Sequence, residues 1–280
     1  MAIHGNTQIF SLIGNNIPHS LSPLIHNFLF KHFKINAVYI PMEVKNNLSN
    51  FFNFFKTTSN FSGCNITIPY KEEAYFMVDV IAETAENVKS VNCIKKTCNN
   101  RLEAYNTDIY GFIKSLTEDL KFNATNKKIV ILGSGGTAKT IIHALIKNAK
   151  NITVVSRSKK NISNLLSLYS KIKWKKFENS LEDLVFPDID LIVNTTPLGL
   201  KGEIININYN SIKPSCSFFD VLYVKSPFIT SAAKRDFNAS NGLNMLIYQA
   251  VKSFEIWTNY QIGDKLMTQL KKEVFNEQKV

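Results

Sequence analysis

The sequence predicts an α/β protein with two domains: an N-terminal α/β domain, and a second domain built on a doubly wound parallel sheet. Two observations lead to this class. Strand-like and helix-like segments alternate along most of the 280 residues, which is the order that a parallel sheet with crossover helices requires. A glycine-rich turn directly after an apolar strand lies in the middle of the chain, where it indicates the start of the second sheet.

The first hundred residues predict a mixture of strands and helices without a phosphate-binding loop. The predicted strands are 8–13, 37–42, 63–68 and 90–96. An amphipathic helix is expected at 23–33, and a phenylalanine-rich helix around 51–55.

The middle of the chain alternates short apolar strands with helices. The predicted strands are 128–132, 152–155, 189–193 and 217–222. Helices are expected from the glycine turn to about Lys147 and again from about Asn161, and 245–270 is predicted to be helical. A border is therefore expected between 107 and 108, and another between 241 and 242.

The glycine turn has the pattern G-x-G-x-x-A and consists of Gly133, Ser134, Gly135, Gly136, Thr137 and Ala138. In dinucleotide-binding proteins the first glycine allows a tight turn and the second lets the backbone approach a pyrophosphate. A small third residue lets the helix pack on the strand. With a strand before it and a helix after it, the pattern indicates a Rossmann-type domain; an ordinary strand-to-helix turn is the alternative.

The following strand ends at Ser156, Arg157, Ser158 and Lys159. Enzymes that use NAD usually have an acidic residue here, which accepts hydrogen bonds from the adenine ribose. This sequence has no acid there, and a guanidinium suits the additional phosphate of NADP. NADP is therefore the predicted cofactor, with a solvated loop charge as the alternative role for Arg157.

The formal charge of +11 arises mainly from dispersed lysines rather than from a dense basic run, so no nucleic-acid partner is expected. No apolar stretch approaches the roughly 20 residues of a membrane span, so no membrane partner is expected. The N-terminus has no features of a signal peptide, and a cytoplasmic location is expected. The cysteines and histidines lack the spacing of zinc ligands, so no metal is expected.

Five motifs, in order along the chain, resemble those of the shikimate dehydrogenase family. His19-Ser20-Leu21-Ser22-Pro23 resembles H-S-x-S-P, and 63–71 resembles G-x-N-V-T-x-P-x-K. Ser90-Val91-Asn92 resembles A-V-N, 105–108 matches the end of G-x-N-T-D, and 242–250 resembles G-x-x-M-L-x-x-Q-A. The resemblance implies reduction of 3-dehydroshikimate to shikimate with NADPH, on the pathway to chorismate and the aromatic amino acids. It also implies a substrate domain of 1–107 with 242–280, to which the C-terminal helices return, and an NADP domain of 108–241.

Ketone reduction requires a proton donor beside the carbonyl oxygen, and Lys71 with Asp108 is expected to fill this role. A surface lysine and a first-turn helix acid are the alternatives. The resemblance implies substrate contacts from Ser20, Ser22, Asn65, Thr67, Lys71, Asn92, Asp108, Tyr223 and Gln249. It implies further cofactor contacts from Thr195, Pro197, Leu222 and Gly242.

Several of these residues also have local structural interpretations. Ser22 is expected to be the N-cap of a helix that begins at Pro23, whereas Ser20 has no such local use. Asn65 and Thr67 are expected to share one face of a strand, and Asn92 is placed inside a strand. A buried structural hydrogen bond is the alternative role for these three residues and for Gln249.

Three positions depart from the family pattern: Pro227 is shifted, Asn244 stands where glycine is common, and Leu200 replaces a methionine. Asn244 and Leu200 bear on contacts with the nicotinamide. The alternative functions are an NAD-using quinate/shikimate dehydrogenase and a non-catalytic dinucleotide-binding regulator. The expected ligand is a small molecule. The oligomeric state is left open, with a homodimer as one alternative.

Overall fold

The computed structural model describes residues 3–15, 17–177 and 188–278. The chain divides into two compact units: unit 1 comprises Met1–Gly111 and Ile247–Val280, and unit 2 comprises Phe112–Leu246. Both borders lie a few residues beyond the expected ones, because each falls inside a helix. Each unit has its own sheet and hydrophobic core. The predicted class, a two-domain α/β protein, is confirmed.

The N-terminal part of unit 1 contains short strands and helices. Its strands are β1 (Gln8–Gly14), β2 (Ala37–Glu43), β3 (Phe61–Ile66), β4 (Val80–Ile81), β5 (Cys93–Lys96) and β6 (Leu102–Tyr105). Its helices are α1 (Ser22–His32), α2 (Leu48–Thr57), α3 (Lys71–Tyr75) and α4 (Glu83–Glu86).

The sheet of unit 1 is mixed, with the strand order β2-β1-β3-β5-β6-β4. β1 pairs in parallel with β2 and β3, and β4 pairs in parallel with β6. β5 runs antiparallel to both β3 and β6. β4 and β6 were not predicted, since two to four residues are too few to display a clear alternation of apolar side chains.

Helix α1 packs through an apolar face and is hydrogen bonded through Asn27 to the edge strand of this sheet. Ile25 and Leu29, one turn apart, are buried on its apolar face. Asn27 Nδ2 donates to the carbonyl oxygen of Tyr39 at 2.8 Å, and the Tyr39 amide donates to Asn27 Oδ1 at 2.9 Å. The side chain therefore satisfies both backbone groups of a residue in the terminal strand β2.

Unit 2 alternates strands and helices. Its strands are β7 (Lys128–Leu132), β8 (Asn151–Ser156), β9 (Ile172–Lys176), β10 (Leu191–Asn194), β11 (Ser217–Asp220) and β12 (Asn238–Ser240). Its helices are α5 (Asp108–Asp119), which begins in unit 1, α6 (Gly136–Leu145), α7 (Ser163–Leu168) and α8 (Pro227–Ala233).

The strands of unit 2 are all parallel, in the order β12-β11-β10-β7-β8-β9. Counted from β7, this is the order 3-2-1-4-5-6 of the dinucleotide-binding fold. The direction of strand succession reverses between β7 and β10. In such sheets ligands bind at the carboxyl ends of the strands near this reversal.

The C-terminal helices are α9 (Leu243–Thr258) and α10 (Asp264–Glu277). A single helical stretch was predicted here, but Asn259 has a φ of +62° and ends α9 before α10 begins. In unit 1, Trp257 lies against Phe10, with ring centroids 4.8 Å apart. None of the helices in the described ranges is both long and apolar enough to cross a membrane.

Candidate active site

Lys71 and Asp108 form an ion pair in unit 1. Each is the first residue of its helix, Lys71 of α3 and Asp108 of α5. Lys71 Nζ donates to Asp108 Oδ2 at 2.7 Å, and the side chains are 19% and 13% exposed. A hydrogen bond of this length provides a direct path for a proton, and the remaining exposure leaves the pair accessible to a ligand.

Two asparagines hold Asp108: Asn106 binds its backbone amide, and Asn92 binds its carboxylate. Asn106 Oδ1 accepts the backbone amide of Asp108 at 3.1 Å, while Asn106 Nδ2 donates to the carbonyl of Ser90 at 3.0 Å. Asn92 Nδ2 donates to Asp108 Oδ1 at 2.9 Å. Each carboxylate oxygen of Asp108 thus has a partner, which fixes the plane of the group beside Lys71.

Asn92 precedes β5 rather than lying inside a strand, so that expectation was wrong. Its backbone amide donates to the Tyr105 carbonyl at 3.1 Å. Asn92 Oδ1 accepts the backbone amide of Thr107 at 2.7 Å, which determines the orientation of the side-chain amide. Nδ2 is therefore directed at Asp108, at Thr107 Oγ1 and, at 3.3 Å, at Gln249 Oε1.

Asn65, at the end of β3, joins this network from the other side. Its Nδ2 donates to the Asn92 carbonyl and to Ser253 Oγ, both at 2.9 Å, and its Oδ1 accepts the Tyr39 hydroxyl at 2.9 Å. Ser253 Oγ also lies 3.1 Å from Thr107 Oγ1. The predicted residues Lys71, Asp108, Asn92, Gln249 and Asn65 are therefore connected through hydrogen bonds.

Thr67 lies outside β3, which ends at Ile66. Asn65 is buried and Thr67 is partly exposed. The Thr67 amide donates to the Ile13 carbonyl at 2.8 Å, which keeps this segment beside β1. Thr67 therefore lies one residue beyond the strand in which it was expected, and the common face with Asn65 stays a prediction.

The interpretation of the two serines near α1 is reversed by the structure. Leu21, not Ser22, occupies the N-cap position, and Ser22 is the first helical residue. Ser20 Oγ accepts the Ser22 amide at 3.2 Å, so Ser20 has the local role that was not expected of it. Ser22 is buried, and burial also raises the pKa of Tyr39 well above its usual value.

Four residues of this network were not singled out as site residues in the sequence: Tyr39, Asn106, Thr107 and Ser253. Thr107 lies between Asn106 and Asp108 in the recognised motif 105–108, and this position in the sequence could have indicated it. Ser253 follows Gln249 by one helical turn, so the same helix face could have indicated it. Tyr39 lies in an apolar strand that gives no indication of a polar contact.

Unit 2 contains a pocket of about 470 Å³ at the carboxyl ends of its central strands. The predicted cofactor residues that line it are Gly133, Ser134, Gly135, Ser156, Arg157, Ser158, Thr195 and Pro197. The others fall outside the lining formed by the described residues: Gly136, Thr137, Ala138, Lys159, Leu222 and Gly242. Additional lining residues include Asn161 and Phe177, which sequence reasoning missed.

The glycine turn fits a dinucleotide pyrophosphate. Gly133 has a φ of +108°, and a Cβ there would lie 2.6 Å from Thr195 Oγ1. At Gly135, no described atom beyond the chain neighbours lies within 4 Å of a Cβ position, so the backbone is open to a ligand. Ala138 is fully buried in the core. The start of α6 at Gly136 then presents backbone amides suited to phosphate oxygens.

The turn after β8 presents the predicted basic residue. Ser156 Oγ donates to the Ser158 carbonyl at 2.8 Å and accepts Trp174 Nε1 at 3.0 Å. Arg157 and Lys159 are exposed. The buried serine thus fixes the turn, while the guanidinium of Arg157 at the pocket wall is accessible to a phosphate.

Tyr223 and Gly242 lie in unit 2. Tyr223 is half-buried, and burial raises its pKa. The Gly242 amide donates to the Leu222 carbonyl at 2.9 Å, and a Cβ at Gly242 would collide with the Val221 carbonyl. Glycine is therefore required at 242 for close backbone packing.

The three residues that depart from the family pattern have different structural surroundings. Pro227 is the first residue of α8, after the N-cap Ser226. Asn244 Nδ2 donates to Asp119 Oδ1 at 2.8 Å and so joins α9 to α5. Leu200 is 56% exposed. Within the described residues, no group of three His, Cys, Asp or Glu side chains is arranged to hold a metal.

The fold and the two sites define a dinucleotide-dependent oxidoreductase with a separate unit that carries a lysine–carboxylate pair. Family models match both units. The shikimate dehydrogenase substrate binding domain matches residues 12–94, shikimate / quinate 5-dehydrogenase matches 115–205, and the shikimate 5′-dehydrogenase C-terminal domain matches 242–269.

Individual relatives are similar to this chain in sequence and structure over nearly its whole length. A shikimate dehydrogenase (NADP(+)) of Pyrococcus furiosus is 35% identical over 269 residues, which cover 95% of each chain. The crystal structure of the Aquifex aeolicus shikimate dehydrogenase has a TM-score of 0.87 at 31% identity, covering 96% of this chain and 99% of that one. A crystal structure of shikimate dehydrogenase in complex with NADP+ has a TM-score of 0.85 at 28% identity, covering 99% and 97%. The chain belongs to the shikimate dehydrogenase family.

Proposed function

We propose that this chain catalyses the reversible, NADPH-dependent reduction of 3-dehydroshikimate to shikimate, on the pathway to chorismate and the aromatic amino acids. The observation that carries the proposal is the Lys71–Asp108 pair, held by Asn92 within a unit that matches the family's substrate binding domain. The NADP(+) in the name of the Pyrococcus furiosus relative and the NADP+-bound structural neighbour support the choice of cofactor.

Lys71 acts as the acid and base of the reaction. NADPH, when bound, supplies the hydride that reduces the carbonyl carbon. Lys71 Nζ gives a proton to the carbonyl oxygen, which becomes the hydroxyl of the product, and takes that proton back in the reverse direction. Asp108 Oδ2 accepts another Nζ hydrogen at 2.7 Å and so orients the ammonium group.

The substrate is held by the polar side chains that the family motifs indicate. Ser20, Ser22 and Tyr223 bind its carboxylate. Its hydroxyl groups contact Asn65, Thr67, Lys71, Asn92, Asp108 and Gln249. The hydrogen bonds from Asn92 to Asp108 and to Gln249 support this role, since they hold three of these side chains together.

The cofactor binds in the pocket of unit 2. Backbone amides at the glycine turn, from Gly133 to Ala138, hold the pyrophosphate. Arg157 holds the 2′-phosphate, with Lys159 beside it, while Ser156 and Ser158 shape that turn. Thr195, Pro197, Leu222 and Gly242 form the part of the site that receives the nicotinamide. The shape of the glycine turn and the open position at Gly135 support the assignment of the pyrophosphate to this turn.

Steady-state assays test the proposal directly. Shikimate and quinate are each oxidised with NADP+ and with NAD+, and the reduced nicotinamide is followed by absorbance. The proposal predicts the highest kcat/KM for shikimate with NADP+. Higher efficiency for quinate with NAD+ would contradict it, and absence of turnover with all four pairs would indicate a non-catalytic dinucleotide-binding protein. We further expect a cytoplasmic location and a homodimer, which cell fractionation and light scattering test.

A further inference from the structure

Asp220, the last residue of β11, is a fully buried carboxylate. Its partners in the described part of the chain are uncharged. Oδ1 accepts the Leu222 amide at 3.0 Å and Asn194 Nδ2 at 3.1 Å, and Oδ2 accepts the Ser226 hydroxyl at 2.5 Å. A buried carboxylate is costly unless several donors compensate for the lost water; these three do so in part, and burial still raises the pKa of Asp220.

These donors belong to two loops that follow adjacent strands. Asn194 ends β10, and its Oδ1 accepts the Thr196 amide at 3.0 Å while its Nδ2 also donates to the Leu198 carbonyl at 3.2 Å. It therefore shapes the loop 195–198, which lines the pocket. Leu222 and Ser226 lie in the loop that follows β11.

We propose that Asp220 is a positioning residue for the reaction: it fixes the two loops that carry Thr195, Pro197, Leu222 and Tyr223. This inference rests on the proposed function, because those four residues are the ones assigned to the nicotinamide and the substrate carboxylate. Asp220 itself touches neither ligand. It acts through Asn194 on one loop and through Leu222 and Ser226 on the other.

A role in positioning predicts a specific kinetic pattern. The phosphate contacts of the cofactor lie at Gly133–Gly135, after β7, and at Arg157, after β8. The hydrogen bonds of Asp220 go instead to residues that end β10 or follow β11. Loosening the loops after β10 and β11 should therefore disturb the reacting groups more than it weakens cofactor binding. Small misplacements of reacting groups are sufficient to lower turnover strongly.

Asp190 provides a matched control in the same sheet. It precedes β10 at the opposite end of that strand, where Oδ2 accepts the Lys128 amide at 2.8 Å and Oδ1 pairs with Lys213 Nζ at 2.8 Å. Removing its carboxylate should lower the stability of unit 2 without touching either loop.

The experiment compares Asp220→Ala and Asp220→Asn with Asp190→Ala, in the full chain, by shikimate-dependent reduction of NADP+, NADP+ titration and thermal unfolding. Asp220→Ala should lower kcat about 10–100-fold, with the Kd for NADP+ changed less than about threefold, since a threefold change is well under 1.4 kcal/mol. Asp220→Asn retains an oxygen for the Leu222 amide and should recover part of the loss. Asp190→Ala should lower only the melting temperature.

Equal kcat in Asp220→Ala and Asp190→Ala would overturn the inference, as would a loss of NADP+ affinity that accounts for the whole kinetic effect. If Asp220→Ala does not fold, Asp220→Asn and Ser226→Ala take its place, and wild-type kcat in both would overturn the inference. A wild-type chain without activity on shikimate would instead contradict the proposed function.

Discussion

Ser253 Oγ in α9 accepts a hydrogen bond from Asn65 Nδ2 at the end of β3, at 2.9 Å and across 188 positions of sequence. Both side chains are buried, and this bond is one of several that pair their polar groups. Through Thr107, the same hydroxyl connects to Asn92, which donates to the carboxylate of Asp108. A residue outside the recognised motifs thus links the side chains that are proposed to bind the substrate.

Ser253→Ala should weaken substrate binding and stability together. Loss of the hydroxyl leaves buried polar groups of Asn65 and Thr107 without this partner, which should lower the free energy of unfolding by about 1–3 kcal/mol. The KM for shikimate should rise while the KM for NADP+ is unchanged, as measured by steady-state kinetics. Ser253 Oγ also donates to the Gln249 carbonyl, four residues earlier, at 3.0 Å. Ser167→Ala is the control, since Ser167 Oγ makes the equivalent bond to the Ser163 carbonyl on an exposed helix face. Similar results for both variants would contradict the prediction.

Lys71→Ala should lower kcat by about 10²–10⁴-fold, the range expected for loss of a general acid–base group. NADP+ affinity should remain, because the cofactor pocket belongs to unit 2. Lys56→Ala is the control, since Lys56 forms an exposed ion pair with Asp79 at 3.0 Å in the same unit. A Lys71 variant that retained half of the wild-type kcat would exclude the proposed role.

The two serines near α1 should differ in stability but not in their effect on substrate binding. Each Ser→Ala variant should raise the KM for shikimate. Ser20→Ala also removes the acceptor for the Ser22 amide and should lower the free energy of unfolding by about 0.5–1.5 kcal/mol, whereas Ser22→Ala keeps that backbone hydrogen bond and should lower it less. Chemical denaturation measures the second effect. An unchanged KM in both variants would leave only the structural roles.

Arg157→Ala should abolish most of the preference for NADP+ over NAD+. A charge-assisted phosphate contact contributes about 1.5–3 kcal/mol, which corresponds to about 10–150-fold in binding. Comparing kcat/KM for both cofactors in wild type and variant measures the change. Arg101→Ala removes an equal charge from unit 1 and should leave the preference intact. Wild-type enzyme with equal efficiency for both cofactors would contradict the assignment of Arg157.

Asp79 should give unit 1 a pH-dependent stability. The Leu102 amide donates to its carboxylate at 2.8 Å and lowers its pKa; partial burial opposes this shift, and Lys56 adds to it. A carboxyl group with a lowered pKa stabilises the fold above its unfolded pKa of about 3.9, and loses that contribution as pH falls through the folded value. The melting temperature of Asp79→Asn should therefore lie below that of wild type at neutral pH, and the gap should close in acid. A gap independent of pH would refute this.

The central strands of unit 2 could be predicted from the sequence because they are short apolar runs buried on both faces. β9 and β12 could not, since they are the outer strands of the sheet and read as charged or small polar residues. Such strands are defined by backbone pairing with one neighbour, and this leaves little trace in the side chains.

The site was predictable where chemistry is concentrated in short motifs, as at Lys71 and Asp108. The Asn65–Ser253 contact was not, because no local pattern indicates which side chain will meet another across most of the chain. The local roles of Ser20 and Ser22 were predicted the wrong way round because α1 begins at Ser22, one residue before its proline. The N-cap position is therefore one residue earlier in the chain than predicted.

The arrangement of the two units along the chain determines when each is complete during synthesis. Unit 2 is one continuous segment, whereas unit 1 joins both ends of the chain. Domains generally fold as units while the chain emerges from the ribosome, so unit 2 has all of its residues first. A nascent chain that has reached residue 246 contains all of unit 2, together with Lys71 and Asp108, but still lacks most of α9, with Gln249, Ser253 and the Trp257 ring that lies against Phe10. Such a chain can form the dinucleotide pocket before it can form a finished substrate site.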